Sequence, residues 1–289
     1  MSNEITSQKT FSIGGDLTIN RLGYGAMRIT GKGIWGPPKD HDESIRVLKR
    51  ALELGVTFID TADSYGPNVS EELIAEALHP YPANLVIGTK GGLLRTGPDQ
   101  WPVDASPAHL KEALEGSLKR LKLDQIDLYQ LHRIDPEVPA EETFAFLKQA
   151  QQDGKIKHIG LSEVDVEDIK KAREFFEVVS VQNMYSVDNR KWEGVLEYCE
   201  QNNIAFIPWY PLSGGNIHSQ EVLQKVADKH GVTVHQVALS WLLNHSPNIL
   251  LIPGTSSVTH LEENMETANV KLDQEDIDEL DAISPPVGG

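Results

Sequence analysis

Thr57-Phe58-Ile59-Asp60-Thr61-Ala62-Asp63-Ser64-Tyr65-Gly66 opens on a short β-prone run that ends in an acid, then passes through small polar residues to a Tyr-Gly. An apolar strand that delivers an ionisable residue at its C-terminal end is where parallel α/β folds place their chemistry. An aspartate after a strand also serves as a turn residue or the N-cap of the next element. The segments on either side decide between the two readings.

Upstream, residues 10–22 hold two apolar runs around Gly14-Gly15-Asp16, which predicts an N-terminal β-hairpin. Arg21-Leu22-Gly23-Tyr24-Gly25-Ala26-Met27 reads as the first strand of the main body. Gly31-Lys32-Gly33-Ile34-Trp35-Gly36 has the letters of a dinucleotide-binding turn, but Pro37-Pro38 stands where a phosphate-binding helix should begin, so a loop is expected. Downstream, helical and strand patterns alternate. Helices are expected over 43–54, 70–78 (with Ser70 as N-cap), 106–121, 140–152, 166–176, 191–201, 220–230, 234–244, 261–269 and 274–283. Strands are expected over 57–60, 84–90, 126–132, 156–162, 178–183, 204–209 and 249–252. Counting from Arg21 gives eight strands, each followed by helical material. With no linker and no low-complexity segment, the chain of 289 residues reads as one α/β domain, a (β/α)8 TIM barrel with an N-terminal β-hairpin and a C-terminal helix. An open doubly wound sheet is the alternative, weakened by the lack of a glycine-rich turn after the first strand.

A formal net charge of −17 argues against a nucleic-acid partner or an anionic membrane surface. The lone Cys199 excludes an internal disulfide and any multi-cysteine metal site. Residues 1–10 are polar without an apolar h-region, and no run approaches ~18 apolar residues, so a soluble cytoplasmic protein is expected. No extra apolar helix face stands out, which makes a monomer the default. No His-Glu-x-x-His spacing points to a metal and no Gly-x-Ser-x-Gly elbow to a serine hydrolase.

In a barrel all strand C-termini face one rim, and the active site is there. The residues at those ends are Asp60 with Tyr65 just beyond, Lys90, His132, Ser162-Glu163, Gln182-Asn183, Trp209-Tyr210 and Gly254-Thr255. Lys90 alone could be a solvated strand end and His132 an ordinary loop residue, but four such groups on three consecutive strands fit one task. Carbonyl reduction requires a hydride on carbon and a proton for the developing alkoxide. Tyr65 can donate that proton, although a phenol with a pKa of about 10 gives it up reluctantly near neutrality. Lys90 is expected to lower that pKa, Asp60 to keep Lys90 charged and oriented, and His132 to donate a hydrogen bond to the carbonyl oxygen.

Asp60-Thr61-Ala62-Asp63-Ser64-Tyr65-Gly66, Thr89-Lys90, Gln130-Leu131-His132, Gly160-Leu161-Ser162, Val181-Gln182-Asn183, Pro253-Gly254-Thr255 and Leu261-Glu262-Glu263-Asn264 resemble, in order over nearly the whole chain, the motifs of the aldo-keto reductases. The resemblance implies a (β/α)8 barrel that binds NADP(H) across its rim, with a tetrad of Asp60, Tyr65, Lys90 and His132. It further implies nicotinamide amide contacts from Ser162, Glu163 and Gln182, and stacking of the ring on the aromatic after the seventh strand. It extends the cofactor site to Tyr210, Pro211 and Leu212, and to Gly254, Thr255, Ser256, His260, Glu263 and Asn264.

The chain departs from the family pattern in three places. Trp209 replaces the usual stacking tyrosine, and its larger apolar face should preserve stacking. Glu163 stands where many members have asparagine. Gly254 and His260 occupy positions where many members read the 2′-phosphate with a lysine and an arginine. Thr255, Ser256, Ser257 and the amides at the next helix start are then the expected phosphate donors. NADP(H) is expected, with a preference that weakens as His260 loses its proton, and NAD(H) is the alternative. The rim loops after His132 and Leu212 are short, which predicts an open pocket of broad aldehyde specificity. Trp35 is either a lining residue of that pocket, beside Tyr65 and His132, or a packed loop anchor. Leu22-Gly23-Tyr24-Gly25-Ala26-Met27, Gly36-Pro37-Pro38 and residues 249–258 also resemble a bacterial subgroup that includes pyridoxal reductases, making pyridoxal one candidate among small-molecule carbonyl substrates. Some proteins of this barrel family are instead regulatory subunits that bind the cofactor and turn over slowly, which gives the second functional reading.

Overall fold

The computed structural model describes residues 9–211 and 217–283. Two strands, β1 (Thr10–Ile13) and β2 (Leu17–Asn20), form the expected antiparallel hairpin. Gly14 and Gly15 take φ of 60° and 82° in its turn, a conformation glycine adopts without steric cost. The hairpin turns Ile13 and Ile19 into a buried cluster with Phe58, Val86, Leu128, Val179, Ala205, Ile207 and Leu250. Those residues line the strand starts, so the hairpin seals the end of the sheet opposite the strand C-termini.

Seven parallel strands follow in sequential order: β3 (Tyr24–Gly25), β4 (Phe58–Asp60), β5 (Val86–Gly91), β6 (Ile126–Leu131), β7 (Ile156–Ser162), β8 (Val178–Gln182) and β9 (Ala205–Phe206). Residues 249–251 take the eighth position through single parallel bridges, Phe206 to Ile249 on one side and Leu22 to Leu251 on the other. The amide of Leu250 donates to the Phe206 carbonyl at 2.9 Å and that of Gly23 to the Leu251 carbonyl at 2.8 Å, so the sheet closes on itself as a barrel. The seam needs glycine. A Cβ at Gly25 would lie 2.5 Å from the Ile252 carbonyl oxygen, and one at Gly254 would lie 2.7 Å from that of Gly25.

The helices are α1 (His41–Glu53), α2 (Val69–Leu78), α3 (Pro107–Leu121), α4 (Ala140–Gln152), α5 (Val166–Arg173), α6 (Glu193–Gln201), α7 (Ile217–His230), α8 (Val234–His245), α9 (Val258–Met265) and α10 (Gln274–Asp281). Their apolar faces pack on the outside of the sheet in one continuous core, from Val47 and Leu48 of α1 to Trp241 and Leu242 of α8. Several starts are fixed by side chains: Asp40 accepts from the Glu43 amide, Ser106 from that of His109, and Asp165, Thr233 and Asp273 each complete a capping box.

Three local expectations differ. Ser70 does not cap α2; Asn68, at φ 70°, holds the N-cap position without a side-chain cap bond, and Ser70 is buried with its hydroxyl against Thr61 Oγ1 at 2.8 Å and the Ala26 carbonyl at 3.0 Å. The first strand is cut short at Gly25, because Ala26–Ile29 coils into a 3-10 turn. The helix expected over 261–269 begins at Val258, where Ser257 caps it, and finishes as a 3-10 turn over Glu266–Asn269. Among the described residues, no helix is long and apolar enough to cross a membrane.

Candidate active site

The strand C-termini gather a polar cluster on top of the apolar barrel floor. On β4, Phe58 faces the floor, so Asp60, two residues on, faces the same interior at the opposite end. Lys90 stands likewise above Val86 on β5. Its Nζ donates to Asp60 Oδ1 at 2.5 Å, to the Thr61 carbonyl at 2.9 Å and to Tyr65 Oη at 3.4 Å. The other carboxylate oxygen, Asp60 Oδ2, accepts from Gln130 Nε2 at 3.1 Å and from Gln182 Nε2 at 2.9 Å. A buried ion pair survives desolvation only when its remaining lone pairs and protons are met, and here they are.

Gln182 reaches this cluster because of a bulge. The pairing of β7 with β8 slips between Ile159 and Gly160, where the partner advances from Val178 to Ser180. Strict alternation from the inward Val179 would turn Val181 inward and Gln182 out. The extra residue reverses that, leaving Val181 in the outer core and aiming Gln182 at Asp60.

Tyr65 is carried on the loop after β4. Its amide donates to Ala62 O, and the neighbouring Gly66, at φ 112°, bridges to Trp35. The phenol ring meets His132 edge-on at 6.0 Å and Trp101 edge-on at 6.3 Å. Tyr65 and His132 keep 7% and 6% exposure, a narrow opening toward the rim, whereas Lys90 has none. Burial is the largest influence and opposes the Lys90 charge, yet Asp60 and Tyr65 together outweigh it and hold the ammonium pKa above its ordinary value. For Tyr65, burial outweighs the pull of Lys90 and raises the phenol pKa. The ammonium acts in the expected direction, and the low-dielectric surroundings act more strongly. Burial, reinforced by Lys90 and Arg133, pushes the His132 imidazole well below its ordinary range, so it is neutral and offers one N–H. Its Nδ1 is buried without a hydrogen-bond partner.

Behind Tyr65, the buried Asp63 has an unpartnered Oδ1 and a pKa raised by burial, and by nearby Glu71, to about 8 from an ordinary 3.8. Between those values the folded chain binds a proton that the unfolded chain does not, so stability falls as pH rises across the interval, at about 1.4 kcal/mol per pH unit. Asp63→Asn is expected to remove that slope. Urea midpoints at pH 5 and pH 8 check it, and an unchanged difference between the two in the variant refutes the assignment.

Ser162, at the end of β7, donates its hydroxyl to the Gln182 carbonyl at 2.9 Å and accepts from Arg133 at 3.0 Å. Glu163 Oε1 accepts from the Met184 amide at 2.6 Å and from Trp209 Nε1 at 2.7 Å. The indole of Trp209 is half-buried and tilted against Tyr210, which is 49% exposed at φ 56°. Pro211 is half-buried, and Leu212 lies outside the described residues. Across the rim, Gly254 and Ser256 are exposed, Thr255 is buried, and His260, Glu263 and Asn264 follow on α9. The amides among the expected phosphate donors are engaged: that of Ser257 donates to Thr255 Oγ1, that of His260 to Ser257 Oγ, and that of Val258 to Glu43 Oε1 at 3.0 Å. A carboxylate thus sits at the start of α9, and the exposed Arg28 lies against Gly254, its Cγ 3.7 Å from where a Cβ there would be.

Trp35 is 37% exposed, with the Arg95 guanidinium 5.6 Å from its ring. Arg95 also stacks at 3.6 Å on Trp101 and donates to the carbonyls of Gly33, Ile34 and Ser64, tying three loops beside Tyr65. Reading the sequence by strand ends missed Gln130, Arg133, Arg95, Trp101 and Arg28. Only Gln130 and Arg133 had a signal, Gln130 from sharing the inward face two residues before His132 and Arg133 from following it directly.

The family model of the aldo/keto reductases matches residues 21–285. An uncharacterised oxidoreductase of Schizosaccharomyces pombe is 53% identical over 92% of this chain and 87% of its own. Pyridoxine 4-dehydrogenase of Escherichia coli is 44% identical over 96% of this chain and 99% of its own. Among solved structures, an aldo-keto reductase from Klebsiella pneumoniae in complex with NADPH superposes with a TM-score of 0.81 at 25% identity, over 98% of this chain and 97% of that one. The chain is a member of the aldo/keto reductase family, and an oxidoreductase.

Proposed function

We propose that this oxidoreductase reduces aldehydes and ketones to alcohols with NADP(H), and that Tyr65 supplies the proton. The observation that carries the reading is Lys90 Nζ held between Asp60 Oδ1 at 2.5 Å and Tyr65 Oη at 3.4 Å, with the Tyr65 ring edge-on to the neutral His132. The rim has what such a cofactor requires: a half-exposed indole at Trp209, small polar residues over 255–257, and Arg28 and His260 at the far end. The nicotinamide, when bound, supplies hydride to the carbonyl carbon. His132 orients the carbonyl oxygen, through the N–H its neutral tautomer offers. Tyr65 donates its proton as charge develops on that oxygen, and the Lys90 ammonium stabilises the phenolate left behind. Asp60, fixed by Gln130 and Gln182, keeps Lys90 charged and aimed. The raised phenol pKa keeps Tyr65 protonated, as a donor must be, throughout the neutral range.

Pyridoxal is the candidate substrate we favour, since the Escherichia coli relative is a pyridoxine 4-dehydrogenase. Trp35, Trp101 and Tyr65 offer aromatic faces on which a pyridine ring can pack. A panel of aldehydes including pyridoxal, followed at the nicotinamide absorbance with NADPH and with NADH, tests the reading. Sustained NADPH oxidation with pyridoxal is the expected result. A KM for NADH equal to or below that for NADPH refutes the cofactor assignment, an outcome made concrete by Glu43 at the start of α9. One turnover followed by arrest with every aldehyde refutes catalysis in favour of a redox-sensing role.

A further inference from the structure

We infer that Glu163 is a positioning residue that fixes the indole plane of Trp209 for stacking, rather than a group that itself touches the cofactor. The inference rests on the NADP(H) reading above.

One carboxylate oxygen of Glu163 accepts two hydrogen bonds, from Trp209 Nε1 at 2.7 Å and from the Met184 amide at 2.6 Å. These bonds join the end of β7 to the segments that follow β8 and β9, three neighbouring strands of the barrel. The backbone of Trp209 is already seated there, with its amide on the Asn183 carbonyl at 3.1 Å and a parallel bridge to Met184. What that seating leaves free is rotation of the indole about its side-chain bonds. A half-exposed ring on a rim has little packing to stop it, and an indole N–H aimed at a carboxylate does so.

The backbone at Glu163 supports the assignment. Its φ is 54°, in the left-handed region that long side chains rarely adopt, and its amide donates to the Gln182 carbonyl at 3.1 Å. A residue in such a conformation has its side chain redirected, here from the line of β7 across the rim to Trp209. Arg133 completes the arrangement: its guanidinium carbon lies 5.8 Å from the Trp209 ring centroid and its charge opposes that of Glu163. Two of the positions at which this chain departs from the family pattern, 163 and 209, are therefore one device. An indole brings a donor that needs an acceptor, and the glutamate supplies it.

NADPH dissociation constants, measured by fluorescence titration, test this in wild-type protein, Glu163→Leu, Glu163→Gln, Trp209→Phe and the double variant Glu163→Leu/Trp209→Phe. Glu163→Leu should weaken NADPH binding roughly tenfold, the scale of a lost charge-assisted hydrogen bond. Glu163→Gln should remain within about threefold of wild type, since its amide oxygen still accepts the indole N–H. In the Trp209→Phe background, where no N–H exists, Glu163→Leu should change affinity less than about twofold. The tryptophan emission of the cofactor-free protein, taken as the difference between backgrounds with and without Trp209, should shift on Glu163→Leu. An equal loss in both backgrounds, or none in either, overturns the assignment. Wild-type protein that binds no NADPH overturns the function proposed above and this assignment with it.

Discussion

Tyr65→Phe is expected to lower aldehyde turnover by roughly 10²–10⁴-fold, the range in which positioned proton donors contribute. NADPH affinity should stay within about twofold of wild type, because Trp209 and residues 254–264 lie elsewhere on the rim. The substitution removes one oxygen, and that oxygen's partner in the structure is Lys90 Nζ at 3.4 Å. The ring keeps its edge-on contacts with His132 and Trp101, so the local packing should persist. Turnover and binding are both needed: unchanged turnover removes Tyr65 from the reaction, while a parallel collapse of NADPH affinity reports damage to the rim. The wild-type pH profile supplies the sign. With the phenol pKa raised by burial, reduction should not decline until the pH exceeds the ordinary tyrosine value of 10.0. Alcohol oxidation, which needs the phenolate as base, should instead rise with pH over the alkaline range. A reduction rate that falls between pH 7 and pH 9 contradicts the raised phenol pKa.

The gathering of Asp60, Tyr65, Lys90 and His132 at one rim was legible in the sequence for a specific reason. Alternation along a strand and closure of the barrel place the last inward residue of each strand at one rim, so Asp60, Lys90 and His132 could be assembled without knowing any contact. What alternation cannot show is where it breaks. The bulge opposite Ile159–Gly160 decides that Gln182 faces Asp60, and nothing in Val178-Val179-Ser180-Val181-Gln182 announces it. Long-range competition is equally silent: Glu43 takes the Val258 amide across 215 residues of chain. Ser70 satisfied every local rule for an N-cap, yet it is buried under Ala26 and Thr61, where tertiary packing overrides the cap preference. Chemistry carried by residue type was readable; balances set by burial, such as the upward shift at Tyr65, required the fold.

Lys90→Met is expected to damage both stability and turnover, and a second substitution should separate the two. Lys90 and Asp60 have side-chain exposures of 0% and 2%, and among the described residues the ammonium is the only cation bonded to that carboxylate. Removing it leaves Asp60 with the neutral amides of Gln130 and Gln182 alone, and leaves the Thr61 carbonyl without the donor it has at 2.9 Å. Breaking a buried pair from one side typically costs about 3–5 kcal/mol, because the remaining charge has no counter-ion. Lys90→Met/Asp60→Asn removes both charges and should recover most of that loss, since a neutral amide in place of Asp60 tolerates burial. Turnover should stay low in both variants: without the ammonium, the buried phenol has lost the hydrogen-bonded cation that lowers its pKa. Urea unfolding and single-turnover reduction, measured side by side, check the two halves. If the double variant recovers activity along with stability, Lys90 is a structural counter-ion to Asp60 and no part of the proton transfer. If the single variant is as stable as wild type, the carboxylate is not dependent on the ammonium, and the relay from Asp60 through Lys90 to Tyr65 is wrong at its first link.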